Sequence, residues 1–213
     1  MAQAPVRQSD AGEGPDADPV DRIITFLSQF VSLDEAERAL IRKITRIERY
    51  PKGTILLSEG EIARENWLVV QGCVRVFRRV HGADRTVALH TELHPAIPPT
   101  YGTATPSLVA FECLEDVVAS ASTREEEAQG FAEHPAFESV CRAMGEVLVA
   151  RLQQAHIDTV TRTAEQRYLD LAARRPDLLQ RVPQYHIASF LGIQPETLSR
   201  IRRRLSRPGV AGR

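Results

Sequence analysis

The sequence predicts an α+β protein with an N-terminal β-roll of jelly-roll type as effector domain, a long dimerisation helix and a small all-α helix-turn-helix domain. Three observations predict it. Between Pro51 and Leu93 apolar residues recur with period two in runs broken by glycine. Residues 136–162 follow with helical periodicity and no proline. From Gln184 to Leu205 two short helical stripes are joined by a glycine.

Composition bounds the reading. A chain of 213 residues, 43% hydrophobic and 26% charged, is long enough for a real core in one large domain or two small ones. No apolar run approaches the roughly 18 residues that cross a bilayer, so no membrane partner is expected. Residues 1–19, MAQAPVRQSDAGEGPDADP, lack the apolar core of a signal peptide and read as a disordered leader rich in Ala, Pro, Gly and Asp. Cys73, Cys113 and Cys141 are odd in number, widely spaced and form no CxxC pair. That argues against a zinc site, an iron–sulfur cluster or a disulfide scaffold, and it suits a reducing cytoplasm. No cofactor is expected.

The elements follow in order. Residues 20–50 read as helices, with Ile24, Leu27 and Phe30 striping one and Leu40, Ile44 and Ile47 another, and Ser32 with Glu35 resembling a capping box. TILLSEG, NWLVVQG, CVRVFRRV and RTVALHTEL are then short strands punctuated by Gly53, Gly60, Gly72 and Gly82. SLVAFECLEDVVASAS supplies a further strand pair, and together these make a roll over residues 20–135. The helix of residues 136–161 carries Val140, Met144, Val147, Arg151 and Gln154 at alternating fours and threes, which is a heptad seam. Leu148, Leu152 and Ala155 form a neighbouring row suited to lie on the body of the protein.

Residues 162–213 form the last domain. It holds eleven Arg, no Lys and four acids, a net of +7, which leaves −8 on residues 1–161 of a chain whose total is −1. Such asymmetry points the basic part at a polyanion. In QYHIASFLGIQPETLSRIRR, Ile187 and Leu191 stripe one helix, and Leu198, Ile201 and Leu205 the next. Ala188 is small where a second helix must cross closely. Gly192 stands where a helix end needs a left-handed residue, and Pro195 opens the second helix. This is the spacing of a DNA-binding helix-turn-helix. Glu196, Ser199, Arg200 and Arg203 fall opposite the second stripe. Arg pairs with guanine edges, Glu accepts from a cytosine amine, and Ser takes either role. Arg202, Arg204 and Arg207 suit phosphates, and Gln184 and Thr197 complete the expected contact set. Because one such module covers half a site, two copies are expected on a double-stranded operator, which favours the heptad as a homodimer seam over an ordinary amphipathic stripe.

The order roll, long helix, helix-turn-helix resembles the Crp–Fnr family of bacterial transcription regulators over nearly all of residues 20–205. The motifs are YPKGTILLSEGE…NWLVVQGCVRVF, FECLEDVVA and IASFLGIQPETLSRIRRRL. The resemblance implies a homodimeric transcription regulator, with RNA polymerase and an unidentified small effector as further partners. ETLSR is similar to the recognition helix of the Fnr side, which assigns base reading to Glu196, Ser199 and Arg200. The cyclic-AMP-receptor side carries an Arg before the Glu; here it is Pro195. Relatives that bind cyclic nucleotides hold the phosphate with Gly-Glu and an Arg. The matching HPAIPPTYGTATPS has neither, and its four prolines remove backbone donors, so cyclic AMP control is not expected. SRPGVAGR, after Leu205, is too short for the β-hairpin wing of many relatives.

A rival class remains: a β-roll small-ligand-binding or metal-dependent enzyme domain whose C-terminal helices serve only for dimerisation. His90, Glu92 and His94 fall on one face of TVALHTELHP and have the chemistry of a divalent-metal set, but they equally read as the wet side of a half-buried strand. No catalytic constellation can be placed, and no enzyme activity is expected.

Overall fold

Asp18 accepts a hydrogen bond from the Val20 N–H at 2.8 Å and so caps α1 (Pro19–Leu27), with Pro19 in the first turn where its missing N–H costs nothing. The computed structural model describes residues 18–133 and 135–205; residues 1–17 of the expected leader and the segment after Leu205 lie outside the described residues. α2 (Glu35–Ile44) has a capping box on Asp34 and Glu37, each side chain accepting from the other's backbone N–H at 2.8 Å. This corrects the expected Ser32–Glu35 box. Leu33 is buried with α1 and α2, so the helix starts only after it. Ile47 likewise leaves the expected helical stripe, because it begins β1 (Ile47–Tyr50) and pairs with Ser120.

The period-two runs form β2 (Ile55–Leu57), β3 (Glu65–Gln71), β4 (Val74–Val80) and β5 (Ala83–His90). They are followed by β6 (His94–Ala96), β7 (Ala110–Cys113) and β8 (Val117–Thr123). Two four-stranded antiparallel sheets result, ordered β1-β8-β3-β6 and β2-β7-β4-β5. Their inner faces enclose Trp67, Val69, Val76, Phe111, Val117 and Ala119, with the Trp67 and Phe111 rings 5.8 Å apart. His81 and Gly82, at φ 51° and 78°, form the two-residue turn between β4 and β5 whose twist matches a hairpin. Gly72 permits the roll to close: at φ +97° a Cβ there would lie 2.5 Å from the Asp116 carbonyl oxygen.

α3 (Arg124–Glu133) was not foreseen, since Gly130 is its one buried residue and it carries no apolar stripe. α4 (Pro135–Thr161) is the predicted long helix. Its early Met144 packs against the Ile23, Leu27 and Ile41 cluster of α1 and α2. Farther along, Val149, Leu152, Ile157 and Val160 are exposed. Of the row expected to lie on the body, Leu148 is half-buried, whereas Leu152 is 62% exposed and Ala155 is exposed as well.

α5 (Ala164–Arg174), α6 (Pro176–Arg181), α7 (Gln184–Phe190) and α8 (Pro195–Leu205) complete the chain. Tyr168, Leu178, Ile187, Ala188, Leu198 and Ile201 form their core, joined by Cys73 and Leu114 from the roll.

Candidate nucleic-acid interface

α7 ends in a full Schellman arrangement. The Gly192 N–H donates to the Ser189 carbonyl and the Ile193 N–H to the Ala188 carbonyl, both at 3.0 Å, with Gly192 at φ +68°. Ala188 is fully buried where the two helices meet. Gln194 then offers its carbonyl to the N–H groups of Thr197 and Leu198, and Pro195 starts α8. Leu198 and Ile201 point inward, while Leu205 is 37% exposed and closes the stripe only in part.

The opposite face of α8 is open. Glu196, Ser199, Arg200 and Arg203 are exposed on it, with Thr197 and Arg204 on one flank and Arg202 on the other. Gln184 is exposed at the start of α7. Among the described residues, Glu196, Thr197, Ser199, Arg200 and Arg202 make no side-chain hydrogen bond or ion pair, whereas Arg204 is ion-paired with Glu165 of α5. The predicted phosphate role of Arg204 therefore competes with a bond that ties α8 to its own domain. Arg207 lies outside the described residues.

Residues not singled out in the sequence hold this unit. Arg167 donates to the Leu191 carbonyl at 2.6 Å and to the Thr159 carbonyl at 2.8 Å, pinning the turn between the reader helices to the end of α4. Arg181 reaches Glu92 and Glu115 of the roll at 2.8 and 2.6 Å. Burial pushes the Glu92 carboxyl up, but hydrogen bonds from Arg181 and from backbone N–H groups, together with the Arg181 charge, outweigh it and hold the group below the usual range. Arg175 bonds Thr91, and the Thr86 N–H donates to the Ser189 hydroxyl at 2.8 Å. His186 is buried, its ring tilted against Tyr185 with centroids 4.1 Å apart; burial, helped by Arg75, lowers its pKa to about 4. Arginine spacing alone carries no signal that separates these bracing residues from the outward-facing ones.

The expected dimer residues do not share one environment. Met144 faces α1 and α2, Val147 is half-buried, and Arg151 and Gln154 are exposed, with Gln154 donating to Asp158 at 3.0 Å. Val140 lies on α4, but its side chain lies outside the described residues.

His90, Glu92 and His94 are separated by the end of β5 and by Leu93 at φ 60°. Glu92 serves Arg181, and the half-buried His90 has its pKa lowered to about 4 by desolvation, helped by His94. Among the described residues no group of three or more His, Cys, Asp or Glu side chains is arranged to hold a metal ion. Burial raises Cys73 to about 12 and Cys113 and Cys141 to about 11, so all three stay unreactive thiols. In the proline-rich loop, Tyr101 donates to Glu127 at 3.0 Å and Arg124 reaches the Gly102 carbonyl.

No family model and no curated protein matches the sequence. Solved structures do match in fold. The catabolite activator protein of Thermus thermophilus is 22% identical, with TM-score 0.52 over 90% of this chain and 91% of that one. FixK2 from Bradyrhizobium japonicum is 22% identical, with TM-score 0.57 over 79% and 89%. The c-di-GMP-responsive global regulator CLP of Xanthomonas campestris is 17% identical, with TM-score 0.61 over 81% and 91%. The chain thus has the fold of the Crp–Fnr regulators, a cyclic-nucleotide-binding-type β-roll joined by a long helix to a C-terminal helix-turn-helix.

Proposed function

We propose that the chain is a sequence-specific DNA-binding transcription regulator. It acts as a cytoplasmic homodimer, engages RNA polymerase, and answers to a small effector other than cyclic AMP. The observation that carries this is the open face of α8, where Glu196, Ser199 and Arg200 stand exposed and unpaired opposite the buried Leu198 and Ile201. Side chains on a rigid helix that are committed to no partner within their own domain are free to hydrogen-bond base edges. The effector reading is supported by the loop of residues 97–109, which contains no Arg and whose Pro98, Pro99 and Pro106 have no backbone N–H to offer a phosphate. Among the described residues no helix is long and apolar enough to cross a membrane.

The test is a salt titration of binding to a random-sequence duplex. Arg202→Ala is expected to lower the slope of log affinity against log salt by about one unit per protomer, because it removes one phosphate contact. Glu196→Ala removes an acceptor rather than a cation and is expected to leave the slope unchanged. Equal slopes for wild type and Arg202→Ala would show that α8 does not lie on the phosphate backbone.

A further inference from the structure

On the outer face of the β1-β8-β3-β6 sheet lies a cavity of about 330 Å³, walled by α1 and α2 on one side and by α3 and the start of α4 on the other. It is separate from the roll's own core. Strand alternation sends Trp67, Val69 and Ala119 inward, and turns Asn66, Leu68, Ser120 and Ser122 to this side. The size falls within the range of small-molecule sites. Its floor is apolar, made by Ile23, Leu27, Ile41, Leu68 and Met144.

One wall is polar and negatively charged. Glu126, Glu127 and Glu133 line the cavity, and among its described lining residues Arg46 is the cation. That arginine is already engaged by Glu65 at 2.7 Å, Glu48 at 3.1 Å and Glu126 at 3.6 Å. Glu127 differs from its neighbours. Its half-buried carboxylate accepts from Asn66 at 2.7 Å, Tyr101 at 3.0 Å and Ser122 at 3.3 Å, all neutral donors. Among the described residues no cation lies within ion-pair range of it. An anionic group beside an unfilled apolar space, on the part of the chain that carries −8, is complementary to a cation with an apolar body. Gly130 gives independent evidence of room: it is buried on α3, yet a Cβ built on it would meet nothing within 4 Å.

We propose that this cavity is a binding site for a small amphipathic amine, its ammonium against Glu127 and its hydrocarbon among Ile23, Leu27, Leu68 and Met144. Through Tyr101, Glu127 also touches the proline-rich loop, so occupancy reports to the roll as well as to the α3–α4 elbow. The site stands on its own geometry and holds whether or not α8 reads DNA.

The probes are octylamine, octanol and octanoate, titrated into the full-length protein by calorimetry and followed by thermal melting. Octylamine is expected to bind saturably and raise the melting temperature, with affinity about tenfold or more above octanoate. Glu127→Gln should bring octylamine down to the affinity of octanol. Gly130→Leu, which fills the space and improves helix propensity, should melt at or above the wild-type temperature and bind none of the three. The proposal is overturned if octanoate binds as tightly as octylamine, or if no amine binds at millimolar concentration. Unchanged octylamine binding in Glu127→Gln or in folded Gly130→Leu overturns it equally. Should Gly130→Leu fail to fold, the Glu127→Gln comparison decides alone.

Discussion

His186 sits in the first reader helix with its ring buried against Tyr185, and His90 closes β5 under similar cover. Burial lowers both pKa values to about 4, against about 6.5 in an unfolded chain. Above pH 6.5 both rings are neutral in either state, and their contribution to stability is constant. Below it the unfolded chain takes up protons that the folded protein refuses, so stability falls as pH drops toward 4. The slope approaches about 1.4 kcal/mol per pH unit for each histidine. Urea denaturation at pH 7, 6 and 5 should show this decline, and His186→Gln should flatten it by one histidine's share. A variant profile that parallels wild type would mean that His186 titrates normally in the folded state. In the sequence, QYHIA gives no hint of this, because a histidine on a helix shows its environment only once the strand it packs against is known.

At the scale of elements, the long helix was legible and its partner face was not. Period and length alone place α4 to within a residue of its observed bounds. The rotation of the helix, however, depends on where α1 and α2 sit, and these capture Met144 from the expected heptad. What remains uncovered is the Val149, Leu152 and Val160 side, and Leu152 is 62% exposed. Burying such a side chain against a second copy is worth about 1.5–3 kcal/mol per protomer. Leu152→Glu is therefore expected to convert a dimer to a monomer by light scattering, with an unchanged circular dichroism spectrum. A variant that stays dimeric would place the seam on the Val147 side instead. The two helices of the reader were legible down to the roles of Ala188, Gly192 and Pro195, because helix caps and close crossings tolerate few residue types. α3 and β6 were hidden for the opposite reason. α3 buries a glycine, and β6 contains Pro95, so neither shows the periodicity that betrays a buried face.

Across the whole molecule, the uneven charge has two uses that arginine counts alone do not separate. Some of the basic domain's excess is spent internally: Arg181 straddles Glu92 and Glu115, Arg175 meets Asp177, and Arg204 meets Glu165. The Arg181 bonds seat this domain on the acidic roll, and the Arg204 pair ties α8 to α5, while Arg167 braces the turn between α7 and α8 through the Leu191 carbonyl. Among the described residues of α8, Arg200 and Arg202 make no such bond and stand exposed. Arg181 and Ser189 join the roll directly to the C-terminal helices. The central claim is that α8 reads base edges, and selection of binding sites from random DNA tests it most directly. The wild-type protein should enrich a two-fold symmetric site with half-sites about 10–10.5 base pairs apart, centre to centre, or a multiple of that. Arg200→Ala should lose preference at one base pair in each half-site, at a cost of about 1–3 kcal/mol. Failure of the wild type to enrich any sequence, or an Arg200→Ala selection identical to it, would contradict the claim.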